Sequence, residues 1–170
     1  MMKKHQSQLN PKNFFEKIIV NVGVGRLSGQ PNFEEKVLPQ VKRDLAIITG
    51  QAPQTRPAKR SIAGFRMREG QIVGLKLTLR GKKMVDFFTR LIMIVLPRVK
   101  DFRGIELSAV DEGGVLNIGI EDHSVFPEVN PEHSPLTFSL GVSIVPKEKD
   151  RNDALKAYRT FGVPLKFPKA

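Results

Sequence analysis

The segment Gly23-Val-Gly25-Arg-Leu-Ser28 follows a β-branched stretch and resembles a glycine-rich phosphate turn. Such turns work because side-chain-free backbone lets a pyrophosphate reach the N–H groups at a helix start. Asp44 lies 19 residues past Gly25, about where a ribose-binding carboxylate would stand. But the third glycine is displaced to Gly29, Pro31 follows in the same loop, and no parallel βαβ repeat comes after it, so the spacing reads as a turn. His123 between Asp122 and Ser124 could serve as a general base, yet no nucleophile motif or paired acid accompanies it. It reads as a turn histidine. His5 and His133 stand at no ligand spacing, and the absence of Cys removes thiolate catalysis, disulfides and Cys-ligated zinc. The sequence therefore offers no catalytic residue, no metal site and no cofactor.

Binding chemistry is better represented. The chain of 170 residues carries a net charge of +11, and residues 51–104 alone hold 13 basic and 3 acidic side chains. The last third, from residue 105 on, is net acidic at −3. So concentrated a positive block attracts polyanions and releases their counterions on contact. Phe65 lies among Arg56, Lys59, Arg60, Arg66 and Arg68, the mixture that RNA stacking and phosphate clamping use. The spacing leaves Phe65 open between a base-stacking ring and a core plug. Asn21, polar within a β-branched strand, is either an edge residue or a group presented to a ligand. An anionic membrane suits the charge less well, since the basic residues form no amphipathic helix with an apolar face.

These residues need elements to position them. Lys17 to Val24 alternates as a strand, with Ile18, Val20, Val22 and Val24 on one side and Asn21 on the other. Asn32 and Glu35 form a capping-box pattern, opening a helix along Val37, Val41, Leu45 and Ile48 that stops at Gly50; Pro39 conflicts with that start and delays it or kinks the helix. Residues 55–64 read as extended and 65–70 as a basic loop. Residues 72–80 are the clearest strand, with Leu75, Leu77 and Leu79 inward and Lys76, Thr78 and Arg80 outward. A helix over 82–96 ends at Pro97, strands follow at 115–120 and 136–144, and Asp150 or Asn152 caps a last helix. This pattern predicts an α+β fold, helices packed on one face of a mostly antiparallel sheet, as a single-domain two-layer sandwich over 14–170. Residues 1–13 read as a flexible segment. Leu91–Leu96, six residues, is the longest apolar run and falls far short of the ~20 that a membrane helix needs. No secretory signal is readable at Lys3 and Lys4, and a soluble cytoplasmic protein is expected.

LAIITGQ (Leu45–Gln51), AKRSIAGFRMREG (Ala58–Gly70), LTLRGKKM (Leu77–Met84), LPRVKDFRGI (Leu96–Ile105) and VFPEV (Val125–Val129) together resemble the bacterial-type family of large-subunit ribosomal protein five. KIIVNVGVG resembles that family's opening strand, and the resemblance runs in order from about residue 14 to 167. It implies a structural protein of the large ribosomal subunit that is not an enzyme. The implied partners are 5S ribosomal RNA in the central protuberance, large-subunit ribosomal RNA, peptidyl-site transfer RNA, small-subunit ribosomal protein thirteen across the subunit bridge, and other 5S-associated ribosomal proteins.

The family pattern, carried over by position, implies 5S contacts at Asn21, Gln51, Phe65 and Thr78, and a transfer-RNA-proximal loop from Gly64 through Val73 with Arg66 and Arg68. Arg56, Lys59, Arg60, Lys76 and Arg80 are the expected phosphate contacts on the RNA-binding surface. The chain departs from the pattern after Gln51, at DEGGVLN (Asp111–Asn117), in the longer loop after Gly25, and most of all across 121–135. The alternatives are a stand-alone RNA-binding module or RNA chaperone, and a nucleotide-binding enzyme built on the Gly23–Gly29 turn.

Overall fold

A computed structural model of the chain describes residues 10–65 and 67–166, with only the backbone of Phe65. The strands are β1 (Phe15–Gly23), β2 (Gln54–Pro57), β3 (Ile72–Leu79), β4 (Leu116–Ile120) and β5 (Leu140–Pro146). They form one antiparallel sheet in the order β2-β3-β1-β5-β4. The helices are α1 (Pro11–Phe14), α2 (Leu38–Thr49), α3 (Gly81–Arg90), α4 (Leu96–Arg98) and α5 (Arg151–Thr160). The class is α+β, as the strand and helix periodicities predict. The short α1 begins inside the segment expected to be flexible, with Asn10 Oδ1 accepting from the Lys12 N–H at 2.9 Å. Residues 1–9 of that segment lie outside the described residues.

By compactness the chain falls into two units. One comprises the described residues through Ile19, Thr78–Ile118 and those from Val142 on. The other comprises Val20–Leu77 and Gly119–Gly141. In the first, Phe15 packs on Phe88 of α3, with ring centroids 4.8 Å apart, and on Tyr158 of α5 at 5.9 Å. The Tyr158 hydroxyl is fully buried and donates to the Gly114 carbonyl at 2.8 Å, with the Ile144 carbonyl at 3.2 Å sharing the proton. Burial, first of all, pushes the pKa of this phenol up. Gly114 has φ +76°, and a Cβ there would lie 2.8 Å from the Ala154 Cβ, so only glycine lets α5 seat on this turn.

In the second unit, α2 buries Val41, Leu45 and Ile48, while Val20, Val22, Leu75 and Leu77 line the core side of the strands. A polar cluster lies in the same interior. The Ser134 hydroxyl donates to Asp44 Oδ2 at 2.5 Å and accepts from Gln40 Nε2 and from His123 Nε2, each at 3.0 Å. His123 is 1% exposed, Asp44 4%, and the imidazole stacks on Phe138 at 3.9 Å. The Phe138 N–H approaches His123 Nδ1 at 3.5 Å, which leaves Nε2 as the proton-bearing nitrogen. His123 is thus a turn histidine, first in the 3₁₀ turn His123–Val125, whose ring is buried in the core. It has no open side from which a substrate could approach.

Several sequence expectations are corrected. Asn32 does not cap a helix with its side chain: it is left-handed at φ 58°, and the chain enters through a π-turn, Phe33–Val37. Pro39 then falls in the first turn of α2, where its missing N–H costs nothing. The same device recurs later in the chain. A π-turn at Leu91–Val95 follows α3, and Pro97 sits in the first turn of α4 instead of ending the helix at Leu96. In both cases the wider i→i+5 turn precedes the proline and relieves the clash its ring makes in a regular helix. The extended segment at 55–64 is a strand only through Pro57, with a 3₁₀ turn at Ala63–Phe65. The last strand starts at Leu140, because Phe138 is engaged with His123.

Two outcomes follow for stability. Gly114→Ala should cost about 2–5 kcal/mol, combining positive-φ strain with overpacking, as read from chemical denaturation. An unchanged midpoint would mean that α5 does not seat there. For His123, burial lowers the pKa, opposed by the Asp44 and Asp122 carboxylates. Because the unfolded imidazole titrates near ~6.5, the unfolded chain binds the extra proton below that pH. Stability should be full above about pH 6.5 and decline as the pH falls below it. Melting temperatures measured across that range should show a shallower acid decline in His123→Gln. Equal slopes would remove His123 from the account.

Candidate nucleic-acid interface

Alternation along β1 and β3 gives the sheet a second face. With Val20, Val22, Leu75 and Leu77 buried, Asn21, Gly23, Gly74 and Lys76 are turned the other way. Register adds β2 to this face. Gln54 pairs with Lys76 and Arg56 with Gly74, and directly opposed residues share a side. The Arg56 guanidinium donates to Gln54 Oε1 at 3.3 Å, so the two polar side chains run along one edge strand. An exposed amide, an ammonium and a guanidinium thus lie over neighbouring strands of one unit.

The space between them is kept open by glycine. Gly23 meets no heavy atom within 4 Å of a Cβ position, while a Cβ on Gly74 would lie 3.3 Å from the Val22 carbonyl oxygen. Glycines inside strands weaken a sheet and are found where another backbone must come close. The surface is therefore free of side chains over Gly23 and Gly74, beside Asn21, Lys76 and Arg56.

The basic loop after β2 is held as a closed neck. The Ala58 N–H donates to the Gln71 carbonyl at 2.8 Å and the Gly70 N–H to the Ala58 carbonyl at 3.0 Å. Ile62 and Met67 exchange backbone bonds at 2.9 and 3.1 Å. The Glu69 N–H is bound by Ser61 Oγ at 2.9 Å and the Arg68 N–H by Gln71 Oε1 at 3.0 Å. This bracing leaves Lys59, Arg60 and Arg68 exposed around the loop. Arg66 and the Phe65 side chain lie outside the described residues, so the choice between stacking ring and core plug stands as the sequence left it.

Gln51 follows the left-handed Gly50 that ends α2, and its carbonyl accepts from the Thr49 hydroxyl at 3.1 Å. Its side chain is half-buried. Thr78 and Arg80 belong to the other unit. Thr78 is half-buried between Leu77 and Leu79. Arg80 is exposed, but its guanidinium stands 3.6 Å from Glu16 Oε1. Lys17, and after it Arg80, hold the Glu16 carboxyl below its usual range. That pairing reduces the charge Arg80 can offer a phosphate, whereas Lys76 and Arg56 show no carboxylate partner among the described residues.

Sequence reasoning did not single out Gln54, Gly74, Arg26 and Gln71. Gln54 was findable from its i, i+2 relation to Arg56, and Gly74 from a glycine set inside an otherwise alternating apolar strand. Among the described residues, no cluster of three His, Asp or Glu side chains is placed to hold a metal ion.

Comparison with known proteins identifies the family of the chain. Residues 14–68 match the family described as ribosomal protein L5, and residues 72–165 match the family described as the C-terminus of the same ribosomal proteins. The large ribosomal subunit protein uL5 of Rhodopirellula baltica is 42% identical over 153 residues, covering 90% of this chain and 76% of that protein. The protein of the same name from Halothermothrix orenii is 40% identical over 150 residues, covering 88% of this chain and 82% of that protein. The one from Dichelobacter nodosus is 36% identical over 171 residues, covering 98% and 93% respectively. With both halves matched in order and identities this high over nearly its whole length, the chain belongs to the ribosomal protein L5 family of the large ribosomal subunit.

Proposed function

We propose that this chain binds 5S ribosomal RNA in the central protuberance, with residues 14–170 acting as one RNA-binding domain. The observation that carries the reading is the glycine-cleared face bearing Asn21, Lys76 and Arg56 on adjoining strands. Lys and Arg supply most of the affinity through phosphates, while Asn21, Gln51 and Thr78 provide preference through 2′-hydroxyls or base edges. Lys59 and Arg60 add charge around that surface, Arg80 offers a further phosphate contact on the other unit, and Phe65 stacks on RNA or braces the loop. Arg66 and Arg68 would meet peptidyl-site transfer RNA. The wider contacts proposed are large-subunit ribosomal RNA, the other 5S-associated proteins and, through residues 111–135, small-subunit protein thirteen. The place of action is the cytoplasmic ribosome. An enzyme built on the Gly23–Gly29 turn is set aside by membership of a structural, non-enzymatic family.

The test is binding to 5S RNA against a length-matched control RNA across a salt series. Preference for 5S RNA is expected, and Asn21→Ala combined with Thr78→Ala should remove about 1–3 kcal/mol of it. Arg56→Ala should weaken both RNAs alike and lower the salt slope by about 1. Equal, steeply salt-dependent affinity for both RNAs would overturn the 5S reading and leave a general RNA-binding module.

A further inference from the structure

Beside the basic loop lies a cleft of about 270 Å³, lined by Gly25, Arg26, Ser28, Gly29, Met67, Gln71 and Val73. It is smaller than the ~300–1,000 Å³ of sites for drug-sized ligands. Its polar end is held in place. Gln71 Nε2 donates to Ser28 Oγ at 2.8 Å, Gln71 Oε1 accepts from the Arg68 N–H, and the Ser28 hydroxyl donates to the Gly25 carbonyl at 2.7 Å. By valence the carboxamide still has a second N–H and a second carbonyl lone pair, and Ser28 Oγ has a second lone pair. These are the groups that read the edge of a base.

The walls suit a flat ring. Met67 and Val73 supply apolar, half-buried sides, and a thioether adapts well to an aromatic face. Gly25 and Gly29 leave the backbone side bare: a Cβ on Gly29 would meet no heavy atom within 4 Å. Arg26 is exposed at the rim, where a flanking phosphate would pass. Deeper binding of a phosphate is opposed, because the adjoining hollow shares Ser28 and Gln71 but adds Glu34 and Glu35. Two carboxylates repel an anion and leave an uncharged base with N–H donors as the fitting guest.

We infer that this cleft captures a single unstacked nucleobase of the RNA that the chain binds, held by Ser28 and Gln71 against Met67. The inference rests on the RNA-binding reading, and the base has two possible sources, 5S RNA or the transfer RNA beside the loop. The experiment uses the full chain, isotope-labelled for NMR and titrated separately with AMP, GMP, CMP, UMP and inorganic phosphate. At least one mononucleotide should shift the Ser28, Gly29 and Gln71 amides and the Met67 methyl, while phosphate alone should not. Gly29→Val, where a Cβ meets no heavy atom within 4 Å, adds bulk to the lining and should abolish those shifts, and Met67→Ala, which removes a wall, should weaken them.

In gel-shift titrations, Gly29→Val should lose about 5- to 100-fold affinity for whichever of 5S RNA or deacylated transfer RNA supplies the base. Identical shifts with phosphate, no shifts with any mononucleotide, or unchanged affinity of folded Gly29→Val for both RNAs would overturn the inference. Any of these with 5S preference intact sinks the cleft alone. Lost 5S preference with the nucleotide shifts intact sinks the 5S reading and leaves the cleft.

Discussion

A one-residue slip of β3 against β2 would put Leu75 and Leu77 into water and Lys76 into the core. That penalty is the constraint on which the RNA-facing surface depends. Fully burying one leucine contributes about 1.5–3 kcal/mol, so two misplaced leucines and one buried ammonium exceed what any side chain on the outer face could recover. The polar face is therefore specified from behind. Gln54, Arg56 and Lys76 need no mutual attraction to stay in position, because the Gln54–Lys76 and Arg56–Gly74 pairings follow from the burial of the leucines beneath. The outer face is left free to carry repelling like charges and glycines that would be poor choices for stability alone.

The interior of the same unit solves a different problem. Asp44 on α2 is 4% exposed, and an isolated carboxylate at that depth would carry a large desolvation cost. Ser134, which lies 90 residues along the chain, donates to it, and Gln40 and His123 complete the shell around Ser134. Such a network adds little net stability compared with well-packed apolar side chains. What it supplies is position. The connection from Glu121 to Ser139 has no regular strand or α-helix of its own, and the bond to Asp44 fixes it at one depth and one register. The connection is thus anchored by a directional bond in addition to its buried Phe126, Val129 and Phe138.

Legibility in the sequence follows the range of the interaction. β1 and β3 were readable because alternation is a local property, and so was a cap for α5 at Asp150 or Asn152, of which Asp150 takes the role, its Oδ1 accepting from the Asp153 N–H at 2.8 Å. The π-turns were not, because propensity treats Pro39 and Pro97 as breakers and has no term for a wider turn that accommodates them. The histidine site was hidden for a different reason. His123, Ser134 and Asp44 are unrelated in spacing, and only the fold brings them together. Leu136 to Phe138 shows the limit of alternation itself. The pattern there is strand-like, yet Phe138 is held by the imidazole face, and regular pairing begins two residues later.

The glycine-rich turn is the instructive case, since the signal was physical and the first chemistry attached to it was not. A dinucleotide needs its pyrophosphate at a helix N-terminus, where N–H groups and the dipole favour negative charge. Here the turn leads instead into a 3₁₀ turn at Leu27–Gly29, then to left-handed Asn32, and the helical entry beyond carries Glu34 and Glu35. Those carboxylates complement the start of the helical segment and so occupy electrostatically the role a phosphate would take. Glycine in the turn retains its other property, close approach without a side chain. Combined with the bridge from Ser28 to Gln71, that property favours a ring over an anion. The loop is unfit for a pyrophosphate for the same reasons that it suits a base.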